Sequence, residues 1–256
     1  MKLINPFTFF PALKKVYSEF NRVVKPALPE LTRLCETGDA DAERALIQKT
    51  AGDWAVGVSR ALKINYEIEG EENIPEAGPV MVYANHQSLL DIVAMFYLFG
   101  RHFQVGFIAK EEWRKVDALR TGIEASRSVF LVRNNPREAL KAVAEAGELL
   151  NNGYSLIIFP EGTRSRGHEM GEFKTASFKF AEKGKVPILP ISIDGTYRIF
   201  EEHNNVKYGQ TVKLVIHPLV HTETMAKDER KSAFVDIETT IREGLHGCCQ
   251  LQQQGT

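Results

Sequence analysis

A histidine and an aspartate stand five positions apart in a mostly apolar stretch of this chain. In PVMVYANHQSLLDIVAM, residues 79–95, a short apolar run leads to His86, and Asp91 interrupts the apolar run that follows. Ionisable groups are costly to bury unless they are paired. Residues five apart on one regular helix point about 140° away from each other, so pairing requires that His86 precede a helix and Asp91 lie in its first turn.

Paired in this way, the two side chains would form a general base and the group that orients it. A carboxylate on one imidazole nitrogen fixes the tautomer and leaves the other nitrogen to take a proton. This chemistry needs no serine nucleophile, and the sequence contains no G-x-S-x-G motif. A structural alternative stays open, because Ser88 and Asp91 have capping-box spacing and His86 could be an ordinary turn histidine.

A second polar segment, IIFPEGTRSRG at residues 157–167, likewise follows an apolar, strand-like run. Glu161 and Arg164 lie just beyond that run, at the end of the strand where open α/β sheets bind ligands. Gly162 allows close backbone approach, Thr163 adds a hydroxyl, and Arg164 is suited to a bidentate grip on phosphate. A solvated turn rich in turn-forming residues would explain the same letters.

Two more basic residues directly follow strand-like segments. Lys110 comes after QVGFIA, and Arg133 comes after SVFLV. A single basic residue past a strand is commonly solvated. Three strand ends that carry Lys110, Arg133 and Arg164 instead indicate a shared anionic ligand.

The elements that must position these residues change character near residue 60. Residues 1–62 are predicted to be a helical, amphipathic N-terminal element, with helix breaks at Pro26 and Pro29. Residues 63–246 alternate strand-like with helix-like segments, including a helix from about Ser88 to Phe99. This alternation predicts an α/β domain whose mostly parallel mixed sheet is flanked by helices. Residues 247–256 are expected to form a flexible tail.

Composition and length exclude several other classes of protein. A chain of 256 residues with 43% apolar and 25% charged residues is an ordinary globular one, and its net charge of -1 does not favour a nucleic-acid partner. The longest apolar stretch, 89–99, is far shorter than the ~20 residues of a transmembrane helix. Three cysteines, Cys35, Cys248 and Cys249, form no C-x-x-C pair, and no metal site is predicted. With no secretory signal read, we expect a reducing cytosol.

Four blocks of the chain, taken in order, resemble the lysophosphatidic acid acyltransferase family of glycerolipid acyltransferases. The blocks are NHQSLLD, SVFLVR, FPEGTRSR and VPILPISI, and they cover roughly residues 80–195. The resemblance implies transfer of a fatty acyl group from acyl-CoA or acyl-carrier protein to the hydroxyl of lysophosphatidic acid, without a cofactor. His86 would be the base and Asp91 its partner, with no covalent acyl-enzyme.

The resemblance also assigns the remaining site residues. Glu161, Gly162, Thr163 and Arg164 would place the acceptor, with Arg164 on its phosphate, and Lys110 and Arg133 would assist. The chain departs from the family pattern at Ser192, where aliphatic residues are usual, and at Leu131-Val132, which replaces Ile-Asp before Arg133. Neither departure falls on His86 or Asp91.

A lipid substrate would give the basic N-terminal region a role. Residues 1–25 hold five basic residues against the single acid Glu19, a local net charge of +4. An amphipathic helix with Phe7, Phe9 and Phe10 could lie among lipid headgroups, each basic residue contributing about 1 kcal/mol at an anionic surface. We therefore expect a peripheral protein on the cytoplasmic side of a membrane. The same apolar stripe is equally consistent with a helix packed on the protein's own core.

Three alternatives use the same residues. A thioesterase would use water in place of the lysolipid, and assays with and without acceptor separate the two. A non-enzymatic lipid-binding protein would be indifferent to His86→Ala. Within the family, the acceptor could be glycerol phosphate or a neutral lysolipid, and Arg164→Ala should impair use of a phosphorylated acceptor only.

Overall fold

The computed structural model describes residues 4–133 and 135–252, with side chains described up to residue 246. Its centre is a single sheet of seven strands. The strands are β1 (Asn65–Glu69), β2 (Met81–Ala84), β3 (Val105–Lys110), β4 (Val129–Leu131), β5 (Ser155–Ile158), β6 (Ile188–Asp194) and β7 (Thr211–Ile216). Their order across the sheet is β1-β7-β6-β2-β5-β3-β4, and every neighbouring pair is parallel except β6 with β7. The predicted mostly parallel mixed sheet is confirmed.

Helices cover both faces of this sheet. They are α1 (Pro6–Glu19), α2 (Lys25–Thr37), α3 (Ala40–Leu62), α4 (Asp91–Phe99), α5 (Asp117–Ala125), α6 (Pro136–Asn151), α7 (Lys179–Gly184), α8 (Thr196–Ile199) and α9 (Lys227–Gln252). Helix α6 begins as its sequence predicts. The Asn135 side chain accepts hydrogen bonds from the amides of Arg137 and Glu138, and Pro136 occupies the first turn.

Alternation along the central strands divides the core into two layers. Val82 and Ala84 of β2 pack on one side of the sheet, in a cluster that includes residues of α3 and α4. Met81 and Tyr83 pack on the other side, with residues of α6, α7 and α9. Strands buried on both faces read as continuous apolar runs, which is why β2, with the sequence MVYA, has no charged position.

The helix break predicted at Pro26 and Pro29 is wrong. The chain stays helical from Pro6 to Thr37, with a π-helical turn, Phe20–Val24, between α1 and α2. That wider turn closes with the Lys25 amide on the Phe20 carbonyl and makes room for the Pro26 ring, which would clash with the carbonyl four residues earlier in a regular helix. The helix expected from about Ser88 begins instead at Asp91.

The N-terminal helices pack closely against the α/β body. Helix α3 crosses α4 where Gly52 meets Gly100, so closely that a Cβ on Gly52 would lie 2.8 Å from the Gly100 Cα. Helix α1 buries Ala12 in the core, and its Phe9 ring lies 5.2 Å from that of Phe200. The division of the chain at residue 62 therefore coincides with a change from helices to alternating strands and helices. That it is also a domain boundary stays a prediction.

Two further expectations concern the helices and the C-terminal end. In the described ranges 4–133 and 135–252, none of the helices combines the length and apolar character that crossing a bilayer requires. The predicted tail, 247–256, lies beyond the residues whose side chains are described, although α9 itself runs to Gln252.

Candidate active site

The polar residues of the sequence blocks meet at one edge of the sheet. Strand β2 pairs in parallel with both β5 and β6, so the segments that follow these three strands emerge side by side. His86 follows β2, Glu161 follows β5 and Thr196 follows β6. Loops at the carboxyl ends of parallel strands are the usual location of ligand sites in open α/β sheets.

His86 and Asp91 are in direct contact. The His86 Nδ1 lies 2.7 Å from the Asp91 Oδ2, with His86 in the turn before α4 and Asp91 as the first residue of that helix. The Asp91 side chain is fully buried, whereas 15% of the His86 side chain is exposed. Because Nδ1 faces the carboxylate, Nε2 is the ring nitrogen left for a proton transfer.

The Asp91 carboxylate also organises the turn that precedes α4. Its Oδ2 accepts hydrogen bonds from the amides of Gln87, at 2.7 Å, and Ser88, at 3.0 Å. Its Oδ1 accepts from the Thr196 hydroxyl at the end of β6. The two interpretations of the sequence are therefore compatible, since one carboxylate organises the turn and orients the imidazole.

An aromatic ring supports the His86 imidazole. The Phe159 ring, at the end of β5, stacks on the imidazole with ring centres 4.1 Å apart and planes 9° from parallel. Phe107 of β3 lies behind Phe159 at 6.0 Å. This packing restricts the imidazole to one orientation and shields one of its faces from water.

Glu161 lies inside the scaffold of the site. One carboxylate oxygen accepts the His86 amide at 2.6 Å and the other accepts the Gly171 amide at 2.7 Å. Burial raises the pKa of the Glu161 carboxyl, against the opposing effect of these two amides. Both carboxylate oxygens thus accept main-chain amides. Glu161 connects the loop after β5, residues 159–174 (the β5 loop), to the turn before α4, residues 85–90 (the His86 turn).

The turn after Glu161 is shaped by a glycine and surrounded by basic residues. Gly162 has φ +72°, in the left-handed region that favours glycine, and a Cβ there would lie 3.1 Å from the Lys174 Nζ. The Gly162 carbonyl accepts a hydrogen bond from the Arg133 guanidinium. Arg133 therefore reaches the β5 loop from the end of β4, as the convergence of strand ends predicts.

The rest of the FPEGTRSR block is tied to the His86 turn through its backbone. The Ser165 amide donates to the His86 carbonyl at 2.8 Å, and the Arg166 amide donates to the Gln87 carbonyl at 3.2 Å. Thr163 is exposed at the tip of this loop. The loop and the turn are therefore held in fixed register, which places the residues after Glu161 beside the imidazole.

Arg164 is held by a carboxylate that the sequence analysis did not single out. Its Nη1 lies 2.9 Å from the Glu201 Oε1, and the same oxygen accepts the Leu89 amide at 3.2 Å. The other oxygen, Oε2, is buried and has no hydrogen-bond partner among the described residues. Arg164 is thus oriented next to the His86 turn by a single-point contact, which leaves the rest of its guanidinium for an anion.

Lys110, at the end of β3, belongs to the same positive region. Partial burial lowers the pKa of its ammonium, and the positive charges of Arg133, Arg164 and Lys174 lower it further, opposed by Glu112. Lys110 and the three cations that act on it form what we call the cation cluster: Lys110, Arg133, Arg164 and Lys174. A concentration of positive charge of this kind is stabilised by an anionic ligand.

Four residues of the site were missed by sequence reasoning. Lys174 and Glu201 lie in segments without a motif, and Gln87 and Thr196 read as ordinary turn and strand-end residues. Their partners are as much as 112 residues away along the chain, for Leu89 with Glu201. The one available signal was Gln87, a polar residue inside the NHQSLLD block.

Comparison with known proteins places the chain in a family. The family described as Acyltransferase matches residues 65–194, which is 130 of the 256 residues, and the chain belongs to it. The matched range contains the His86 turn and the β5 loop, and it ends at Asp194.

Individual relatives point in the same direction. A chloroplastic 1-acyl-sn-glycerol-3-phosphate acyltransferase of Arabidopsis thaliana is 35% identical over 66% of this chain and 47% of its own length. The protein of that name from Borreliella burgdorferi is 29% identical over 68% of this chain and 69% of its own. This chain therefore spans about half of the plant relative and two thirds of the bacterial one. The crystal structure of the 1-acyl-sn-glycerophosphate acyltransferase PlsC from Thermotoga maritima matches with a TM-score of 0.68, at 33% identity, over 79% of this chain and 80% of that one.

Proposed function

We propose that this protein transfers a fatty acyl group from a thioester to the free hydroxyl of 1-acylglycerol 3-phosphate and so makes phosphatidic acid. The observation that carries the proposal is the contact between His86 and a fully buried Asp91, beside the cation cluster. A base alone would serve many reactions. A base next to a site for a phosphate selects an acceptor that has both a hydroxyl and a phosphate. The names of the relatives agree with that acceptor.

The His86 Nε2 takes the proton of the acceptor hydroxyl as that oxygen attacks the thioester carbonyl. A carbon–oxygen bond forms, the carbon–sulfur bond breaks, and the imidazolium returns the proton to the leaving thiolate. The products are an ester and a free thiol, so atoms and charge balance without a covalent enzyme intermediate. This route is consistent with an imidazole whose Nδ1 is held by Asp91 and whose Nε2 is left for the proton.

Asp91 supports this reaction in two ways. Its contact with Nδ1 fixes the tautomer, and its negative charge stabilises the imidazolium that forms during proton transfer. Burial strengthens this effect, because charges interact more strongly where water is excluded. The amides of Gln87 and Ser88 and the Thr196 hydroxyl hold the carboxylate in place without neutralising it.

The cation cluster is where the acceptor phosphate would bind. Arg164 offers a planar guanidinium suited to two phosphate oxygens, while Lys110 and Lys174 act as compact charges. Arg133 is committed in part to the Gly162 carbonyl and shapes the loop, and Thr163 lies exposed at its tip. Glu161 acts from behind by holding the His86 amide.

The membrane role proposed for the N-terminal element rests on its exposed apolar side. On α1, Phe7 and Phe10 are 87% and 63% exposed, while Ala12 on another side of the helix is buried. Leu13 and Tyr17 extend the exposed side, and Leu119 of α5 adds to the exposed apolar surface. Helix α1 therefore packs on the body and presents a second apolar surface outward, as expected of an interfacial helix that docks on lipid. We propose a peripheral position on a membrane that contains the lipid substrate.

The proposed reaction is tested by measuring release of free thiol. Purified protein is mixed with a long-chain acyl-CoA, or with acyl-carrier protein, with and without 1-acylglycerol 3-phosphate, and the lipid products are separated. We expect thiol release that depends on the acceptor and equals the phosphatidic acid formed. Release without acceptor would show a thioesterase. Absence of release with either donor would contradict the enzymatic proposal.

The proposed membrane contact is tested by sedimentation with vesicles that contain anionic lipid. We expect the double variant Phe7→Gln, Phe10→Gln to bind at least tenfold more weakly than the wild type, because it removes two large apolar side chains from the interface. Val235→Gln, on α9 and 61% exposed, is the matched control and should bind as the wild type does. Equal binding by all three proteins would refute the contact through α1.

A further inference from the structure

A second group of side chains, away from the cation cluster, has the composition of a transition-metal site. His168 lies in the loop between β5 and α7, followed at once by Glu169, and His246 projects from α9. One potential ligand atom from each of the three lies within 4.8 Å of the others. Two imidazoles and a carboxylate form a common ligand set for zinc.

The strongest support for a metal site comes from the residue behind His168. The His168 Nδ1 lies 3.0 Å from the Oδ1 of Asp194, whose side chain is almost fully buried. Metal-binding histidines usually donate their second ring N–H to a carboxylate or carbonyl, which fixes the tautomer and makes the other nitrogen a better ligand. With Nδ1 held by Asp194, the His168 Nε2 is the nitrogen that would bind the metal.

Asp194 is itself fixed by surroundings that do not depend on the metal. Gln87 donates to its Oδ1 at 3.1 Å, and the Arg198 guanidinium lies 3.5 Å from its Oδ2. Arg198 therefore balances part of the negative charge of the buried carboxylate that holds the His168 Nδ1. His168 is therefore preorganised, while Glu169 and His246 are exposed and able to adjust.

We propose that His168, Glu169 and His246 bind one Zn²⁺ ion, with Asp194 as the supporting carboxylate. Zinc holds nitrogen and oxygen ligands at about 2.0–2.2 Å, which separates two ligands of a tetrahedral ion by roughly 3.3 Å. The ligand atoms now lie within 4.8 Å of one another, so the exposed Glu169 and His246 side chains would have to rotate toward His168 when the ion binds. A fourth position stays open to water or to an exogenous ligand. Mg²⁺ and Ca²⁺ would compete poorly, because they prefer oxygen ligands.

The ion would join the β5 loop to the last helix. These two segments already touch, since the Arg242 guanidinium donates to the Met170 carbonyl at 3.3 Å. Met170 precedes Gly171, whose amide holds the Glu161 carboxylate behind His86. A zinc ion at this position would therefore stabilise the loop that carries the FPEGTRSR block, without contacting a substrate.

Zinc binding is measured on the untagged full chain after dialysis against a chelator. Zn²⁺ is titrated against a competing chromophoric chelator, and thermal unfolding is followed with and without zinc. We expect about one ion per chain and a rise in the unfolding midpoint of about 5 °C at a hundredfold excess over Kd. His246→Gln and Glu169→Gln change exposed side chains, and each should weaken binding at least tenfold while leaving the zinc-free midpoint unchanged.

His221→Gln is the matched control. His221 is an exposed histidine that also contacts a carboxylate, that of Glu223 at 2.8 Å, but it is not one of the three residues of the proposed site. This variant should bind zinc as tightly as the wild type does. The proposal is overturned if the wild type binds less than one ion, if His246→Gln binds with unchanged affinity, or if His221→Gln loses affinity to the same extent. None of these measurements depends on acyl transfer.

Discussion

Two pairs of histidine and aspartate lie at the same edge of the sheet, and we assign them different roles. In one pair the His86 Nδ1 lies 2.7 Å from a carboxylate oxygen, and in the other the His168 Nδ1 lies 3.0 Å from one. Both aspartates are buried and both histidines are partly exposed. Gln87 even joins the two, because its amide bonds Asp91 and its side chain bonds Asp194.

The difference lies in what compensates the charge of each carboxylate. Asp91 is held by two amides and the Thr196 hydroxyl, which are neutral donors, so its full charge is available to an imidazolium. Asp194 shares its charge with the Arg198 guanidinium. A carboxylate already paired with a cation stabilises a second positive charge less.

The neighbourhoods of the two imidazoles differ as well. His86 stacks on Phe159 and lies beside a loop with a cation cluster, whereas His168 faces Glu169 and His246. The surroundings of His86 suit an anionic substrate that loses a proton, and the surroundings of His168 suit a metal cation. The comparison teaches that a contact between histidine and aspartate does not define a base, and that the charges around it do.

We expect the largest difference in activity between variants that replace one or the other of the two histidines. We expect His86→Ala to lower kcat/KM for acyl transfer about 10³-fold, within the usual range for loss of a general base. His168→Ala should lower it less than tenfold, because His168 contacts Asp194 and faces Glu169 and His246, none of which we assign to the acceptor. Thiol release from acyl-CoA measures both variants. Similar losses in the two would break the proposed division of roles.

The second prediction tests whether the cation cluster binds the substrate on which the pair of His86 and Asp91 acts. Arg164→Ala should raise KM for 1-acylglycerol 3-phosphate about 10–100-fold, as expected for a lost charge-assisted hydrogen bond. It should change use of an uncharged lysolipid by less than threefold. Arg166→Ala is the control, since this neighbouring arginine bonds Gln87 through its backbone amide. An equal loss with both acceptors would place Arg164 in the scaffold rather than on the phosphate.

The pH dependence of phosphate binding is a further test of the cation cluster. The pKa of Lys110 is lowered from its ordinary value of 10.5, first by burial and then by the neighbouring cations. Its ammonium therefore loses its proton at a lower pH than a free lysine does, and the affinity for glycerol 3-phosphate should fall early as the pH rises. In Lys110→Arg the charge persists, so this alkaline fall should disappear. Calorimetric titration from about pH 7 to about pH 10 measures it. A fall that persists in the arginine variant would exclude Lys110 as its cause.

The smallest expected effect concerns the carboxylate that holds Arg164. Glu201→Gln keeps the size of the side chain and an oxygen for the Leu89 amide, but it removes a negative charge that competes with the phosphate. We expect KM for the phosphate acceptor to fall about threefold, with little change for a neutral one. If KM rises instead, the main role of Glu201 is to position Arg164 and not to compete for it.

Much of the fold could be predicted because local patterns and packing agree. Apolar runs such as MVYA and SLII, bounded by turn residues, specify buried strands, and Asn135-Pro136 specifies the start of α6. The failure came at Pro26 and Pro29. At Pro26 a π turn accommodates a ring that the regular helical pattern excludes, and no local rule distinguishes that outcome from a break. Pro29 lies within α2 itself.

The sequence by itself determined the α/β architecture, the succession of strands and helices along the chain, and the turn that allows His86 to meet Asp91. These depend on interactions between residues that are near one another in the chain. Tertiary structure decided which groups surround that pair: Thr196 on Asp91, Glu201 on Arg164, Lys174 beside Gly162, and His246 opposite His168. The physical reason is that parallel strands bring distant loops to a common edge. The electrostatic surroundings of each imidazole are therefore set by residues from distant parts of the chain, and those surroundings are the ground on which we propose a base in one case and a metal ligand in the other.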